Sequence, residues 1–182
     1  MRRQEREGRH GSALSKLRTE RFFGYYPGTV ALVTVRHEGE RNVMSAGWHT
    51  ALSADPPLYG VLIGRERATH PLVTASGRFG LNFLRFADAP VIQRAGTLSR
   101  SDGTDKFAEL ALEDEPDEPL ALRRAYLTFV CALENTVATG DHDLFVGRVE
   151  SVLYDPAAYD ERLLFKDSAA VYLGRGEYRE LM

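Results

Sequence analysis

The stretch Asn42 to Ser53, NVMSAGWHTALS, followed at once by Ala-Asp-Pro-Pro57, most constrains the fold of this chain. It reads as a strand stopped by the proline pair, yet its side chains suit a core poorly. Period-two alternation puts Asn42, Met44, Ala46, Trp48 and Thr50 on one face. Val43, Ser45, Gly47, His49, Ala51 and Ser53 fall on the other, which is mostly small or polar. Glycine inside a strand costs stability and marks a bulge or a close approach by backbone or ligand. A flat, hydrogen-bonding ligand laid along the strand needs such a face. A bulged edge strand with no ligand carries the same pattern, and both readings stand here.

The flanking sequence supplies further strands. Thr29 to Arg36, TVALVTVR, is rich in β-branched residues and reads as a buried strand. The turn His37-Glu-Gly-Glu40 makes it a hairpin with the segment from Asn42 to Ser53. Leu58 to Gly64 and Phe79 to Leu84 read as the next strands. Tyr126 to Val137 and Asp143 to Tyr154 form a long hairpin around Thr139-Gly140-Asp141-His142. Arg162 to Tyr172 holds a last strand or turn-strand unit. Short helices are expected from Ser12 to Phe23, from Thr69 (as N-cap) to Ser76, and from Asp88 to Leu98. Ser101 to Pro119 is acidic and turn-rich, so most of it is expected to face water. Several strands, few helices and short turns predict a mainly β fold, a closed barrel with small helices at its rim.

At 182 residues the chain is expected to form one domain with a single core. A net charge of −3 argues against nucleic acid as a partner. Arg2, Arg3, Arg6 and Arg9 give the N-terminus a basic tail without the apolar run of a signal peptide. No stretch is long enough to span a bilayer, so no membrane role and a cytoplasmic location are expected. The single cysteine, Cys131, sits in an apolar run and reads as a buried, inert thiol.

The chemistries with strong motifs are missing. There is no Walker loop, no Gly-x-Gly-x-x-Gly after a strand and no Gly-x-Ser-x-Gly elbow. His10, His37, His49, His70 and His142 show no helical zinc spacing, so no metal is expected. What remains is polar and cationic. Arg65 and Arg67 precede a helix start at Thr69, where free amides and the positive dipole end favour phosphate. A plain cap with solvated arginines fits equally. Lys106, among acidic residues, reads as a surface salt-bridge partner. His142 belongs to a turn that does not require a histidine.

Seven pieces in order carry a resemblance. They are Pro27-Gly-Thr-Val-Ala-Leu-Val-Thr34, Asn42-Val-Met-Ser-Ala-Gly-Trp48, Ser53-Ala-Asp-Pro-Pro57, Arg67-Ala-Thr-His70, Ser76-Gly-Arg-Phe-Gly-Leu-Asn82, Asp105-Lys-Phe107 and Gly140-Asp-His-Asp-Leu-Phe-Val-Gly-Arg-Val149. The chain resembles the flavin reductase-like, FMN-binding split-barrel family. The resemblance implies a Greek-key split β-barrel over residues 22–182, preceded by a basic extension at 1–21. It implies a homodimer holding FMN near the subunit interface, with NADH or NADPH as electron donor. Asn42, Met44, Ser45, Ala46, Gly47, Trp48, Thr50 and Ser53 would line the flavin. Arg67, Thr69 and His70 would hold its phosphate, helped by Lys106, and His142 would lie near flavin and nicotinamide. The activity implied is flavin reduction, with reduced flavin supplied to a partner monooxygenase. An alternative is a flavoredoxin-like electron carrier that keeps its FMN and reduces a protein or metal acceptor. A third is a split-barrel module holding haem or pyridoxal phosphate, with His49, His70 and His142 as the histidines available.

Overall fold

The computed structural model describes residues 26–99 and 103–181. The helix expected from Ser12 to Phe23 lies outside the described residues. The elements are β1 (Gly28–Thr29), β2 (Ala31–His37), β3 (Glu40–Ala46), β4 (His49–Ser53), β5 (Leu58–Gly64), α1 (Thr69–Ser76), β6 (Arg78–Leu84) and α2 (Ala89–Thr97). They continue with α3 (Lys106–Glu109), β7 (Asp114–Glu115), β8 (Glu118–Leu122), β9 (Ala125–Thr139), β10 (His142–Tyr154), β11 (Ala169–Gly174) and β12 (Glu177–Leu181). The fold is mainly β, with a few short helices.

Seven strands form one antiparallel sheet in the order β3-β2-β6-β9-β10-β5-β4. The sheet is not closed by hydrogen bonds, which corrects the expectation of a closed barrel. Its two edge strands, β3 and β4, are successive pieces of one chain segment. β3 pairs with β2 and β4 pairs with β5. A segment that leaves one flank of the sheet to join the other cannot pair with itself, so the join is covalent. It runs through Gly47 and Trp48, where the single strand expected from Asn42 to Ser53 breaks in two. The amide of Leu62 in β5 donates to the Trp48 carbonyl at 2.9 Å and anchors the corner.

β2 is buried on both faces, which explains why Ala31 to Val35 is apolar save for the buried Thr34. Ala31, Val33 and Val35 join a core with Val61, Ile63, Phe79, Leu81 and Phe145. Leu32 turns to a second core with Val43, Ile92, Phe107, Leu110 and Leu122. The second core exists because α2, α3 and β8 cover the outside of the sheet. Most of the described part of the acidic stretch faces water, as expected, while Lys106, Phe107, Leu110 and Leu112 turn inward and are buried. A buried polar hub fastens β8 to the sheet. Asn82 donates to the carbonyls of Leu32 and Leu120, and its Oδ1 accepts from Leu122 N and Thr128 Oγ1, both at 2.8 Å. With every capacity used, such a hub favours one arrangement over its neighbours.

The expected strand β5 and the β9–β10 hairpin are present. The C-terminal region is richer than expected, since β11 and β12 form a second small sheet with β1. Cys131 is fully buried, and burial pushes its thiol up to about 12. No described helix is long and apolar enough to cross a membrane.

Candidate functional site

A cavity of about 930 Å³ opens where the β3–β4 corner, the loop between β5 and α1, the end of α2 and the start of α3 meet. Each element arrives for a local reason. Pro71 sits in the first turn of α1, where its missing N–H costs nothing. Gly77 ends that helix in the left-handed region, with φ 67°, as a helix C-terminus favours. Asp105 caps α3 by accepting from the amides of Phe107 and Ala108, and it also bonds Arg41 at 2.8 Å. That cap fixes the residue that follows it, Lys106.

The inner end of the cavity is polar and positive. Lys106 is only 6% exposed, and its Nζ donates to the carbonyls of Val43 and Ala95 at 3.0 Å each. This overturns its reading as a surface salt-bridge partner; the apolar side of α3 pulls the lysine inward with Phe107. Burial, and secondarily the charge of Arg67, lower its pKa to about 8. Arg67 lines the same end, half-exposed, with Glu66 at 3.0 Å. Thr69 lines it too but is not a cap. The capping position is Ala68, with no side-chain bond, and the Thr69 hydroxyl accepts instead from Asn42 Nδ2 at 2.9 Å. Asn42 is 2% exposed, and its Oδ1 is buried with no hydrogen-bond partner among the described residues. An unsatisfied buried amide oxygen costs about 1–3 kcal/mol. Asn42 is therefore a cavity-wall group with unused hydrogen-bonding capacity.

The middle of the cavity is lined by Met44, Ser45, Ala46, Gly47 and Trp48. Odd and even positions share this wall, so the single small-residue face expected from strict alternation is corrected. The chain turns out of the sheet at Gly47, and Val43, from the supposed ligand face, is in the core. A Cβ built on Gly47 meets nothing within 4 Å among the described residues, so none of them requires glycine there. Gly96 of α2 is different: its Cβ would meet Ser45 Cβ at 3.3 Å, and the Ser45 hydroxyl bonds the Ile92 carbonyl.

At the outer side, Trp48 and His142 have ring centroids 4.9 Å apart. His142 Nδ1 lies 2.7 Å from Asp141 Oδ1, and this bond holds the Asp141 carboxyl below its usual range. The structure thus brings Asn42, Met44, Ser45, Ala46, Gly47, Trp48, Arg67, Thr69, Lys106 and His142 together around one cavity. Thr50, Ser53 and His70 do not line it. Thr50 is exposed on the edge strand β4, Ser53 ends that strand, and His70 Nε2 bonds Asp143 Oδ2 at 2.8 Å. Asp143 also receives Arg65 at 2.7 Å, and these two bonds, Arg65 first, keep its pKa low. His49 is turned away as well. Its Nδ1 meets Tyr59 OH at 2.8 Å and its Nε2 the Thr29 carbonyl at 3.1 Å, while burial lowers its pKa. Among the described residues, no group of three or more His, Cys, Asp or Glu is placed to hold a metal ion.

Sequence reasoning missed the wall supplied by Ala95, Gly96 and Thr97 of α2 and by Tyr172 of β11. Gly96, an internal helix glycine, was the available signal, since it costs about 1 kcal/mol relative to alanine unless something packs closely.

Comparison with known proteins gives four findings. The flavin reductase like domain family matches residues 23–174. The chain is 30% identical over 152 residues to an NADH-dependent FAD reductase of Streptomyces globisporus, covering 82% of this chain and 81% of that one. An FMN-binding protein from Thermus thermophilus, solved with bound 1-cyclohex-2-enone, superposes with a TM-score of 0.80 at 34% identity, covering 93% and 95% of the two chains. Nitrilotriacetate monooxygenase component B from Mycobacterium thermoresistibile superposes with a TM-score of 0.70 at 25% identity over 87% and 82%.

Proposed function

The chain belongs to the flavin reductase like domain family, and on that premise we propose that it is an NADH-dependent flavin reductase that holds FMN in the cavity at the β3–β4 corner. The observation that carries the reading is the cavity's chemistry. A polar, cationic inner end adjoins an open wall at Gly47, and Asn42 Oδ1 is left without a partner among the described residues. These residues fit a flat ring system that ends in an anion. The phosphate end would meet Arg67, Thr69, Lys106 and the start of α1, where amides and dipole favour negative charge. Asn42 would turn its amide to the ligand while keeping Thr69.

Bound FMN supplies the chemistry of taking a hydride from NADH and passing the reducing equivalents on. The protein's part is alignment, which needs no acid–base triad. Gly47 lets a ring lie against the backbone without a side chain between. Trp48 and His142 border the side from which a nicotinamide would stack. Asp141 engages Nδ1 of His142 and so orients its ring. His70 braces α1 against β10 through Asp143 and supports the phosphate end without touching it.

The same reading includes a split-barrel, Greek-key arrangement in residues 22–182, a homodimer, a cytoplasmic location and a flavin-dependent monooxygenase as recipient of reduced flavin. Exposed Leu52 on β4 and exposed Val152 and Tyr154 on β10 support a protein partner on the sheet. The name of the Mycobacterium thermoresistibile neighbour supports the monooxygenase. The test is steady-state NADH oxidation by the purified protein with and without added FMN. Oxidation that depends on FMN supports the reading, and oxidation that ignores FMN refutes it.

A further inference from the structure

We infer that the inner end of the cavity is a proton-linked anion site, in which Lys106 takes up a proton as a phosphate-bearing ligand binds, so that affinity falls in alkaline solution. This deepens the flavin reading and rests on it.

The geometry around Lys106 gives two states of the amine comparable standing. Its Nζ faces two carbonyls, Val43 from β3 and Ala95 from α2. A neutral amine has two N–H groups, and both carbonyls are then satisfied with no N–H left over. The ammonium has a third N–H, which needs an acceptor, and a charge, which burial penalises. Without an anion the neutral form loses no hydrogen bond. With a phosphate oxygen at the cavity end, the third N–H gains its acceptor and the charge gains its partner.

The surrounding charges do not already supply that partner among the described residues. From the loop before α1, Arg67 faces the same end and its charge opposes a second one. Glu66 is engaged with Arg67, and Arg65 with Asp143. On the lysine's own helix, Asp105 is committed to Arg41 and to the amides of Phe107 and Ala108, and Glu109 reaches towards Arg94. α1 contributes a hydroxyl, Thr69, and β3 a neutral amide, Asn42. Burial first, and Arg67 second, accordingly bring the lysine from 10.5 to about 8.

The direction of the linkage follows. Below about pH 8 the lysine of the ligand-free protein is already charged, and affinity is at its maximum. Above it, binding must recharge the amine, and the dissociation constant rises towards tenfold per pH unit until the raised value of the bound state is reached. The second ionisation of a phosphate monoester, near 6, is complete before this rise begins.

The experiment is titration of the full chain with FMN at pH 7, 8 and 9, using wild type, Lys106→Met and Lys106→Arg, with riboflavin as the probe lacking phosphate. Calorimetry at pH 8.5 in buffers of different ionisation heat counts protons. Expected are an FMN dissociation constant that rises for wild type above pH 8, a flat profile for both variants, and no pH dependence for riboflavin. Proton uptake should be substantial at pH 8.5 and much smaller at pH 7. A flat wild-type profile with FMN bound at pH 7 overturns the inference alone. An unchanged slope in Lys106→Met, or the same slope with riboflavin, overturns it as well. Should neither variant fold, the wild-type calorimetry decides, and absence of proton uptake refutes it. Failure of FMN to bind at pH 7 overturns the flavin reading and this inference together.

Discussion

Replacing Gly47 by alanine separates the fold from the ligand. A Cβ at this position meets no heavy atom of the described residues within 4 Å, and the residue does not use the left-handed backbone region that would demand glycine. The added methyl therefore strains nothing, and loss of backbone freedom in the unfolded chain should stabilise the ligand-free protein by about 0.4–1 kcal/mol. The methyl does project into the cavity wall. A ring laid against Gly47 makes on the order of 20 atom pairs worth about 0.15 kcal/mol each, or about 3 kcal/mol. Lifting it by about 1 Å forfeits up to half of that, about 1.5 kcal/mol, which is roughly tenfold in Kd. The assay pairs an FMN titration with urea unfolding of the ligand-free protein. The expected result is weaker FMN binding with an unchanged or higher unfolding midpoint. Unchanged FMN affinity would refute the placement of the ring on this strand. A large drop in stability would refute the claim that glycine is there for the ligand.

Two further substitutions test the ends of the cavity. Arg67→Glu should weaken FMN binding at least about tenfold at low ionic strength, with a smaller effect in 1 M salt, because this half-exposed side chain is screened; equal affinity at low salt counts against a phosphate at this end. His142→Ala should slow reduction of bound flavin in rapid mixing while leaving FMN affinity within about twofold, since it borders the open side of the cavity. Equal rates would reduce His142 to a turn residue.

Local patterns in the sequence carried most of the strands. The β-branched run of β2, the Leu58–Gly64 segment and the hairpin at Gly140-Asp141 all form as periodicity and turn chemistry predict. The failures share a cause in contacts distant along the chain. Thr69 has the chemistry of a cap, but Asn42 claims its hydroxyl from β3. Lys106 lies in an acidic stretch, but the carbonyls of Val43 and Ala95 draw it inside. The segment from Asn42 to Ser53 reads as one strand because alternation cannot reveal that its halves serve opposite edges of the sheet. Alternation failed for the same reason at the candidate site, where both faces meet the cavity at the corner. Tyr172 reaches the cavity from a small sheet whose outer strand β12 has no signal stronger than Glu177-Tyr-Arg-Glu-Leu181. The ordered series of short motifs named the family, and ten of the thirteen candidate site residues share one cavity.

The most direct test of the central claim is an anaerobic visible spectrum of the purified protein with FMN, recorded before and after NADH is added. The account predicts that the flavin band bleaches within the mixing experiment and returns on admission of air. A bound flavin that NADH leaves oxidised would contradict it.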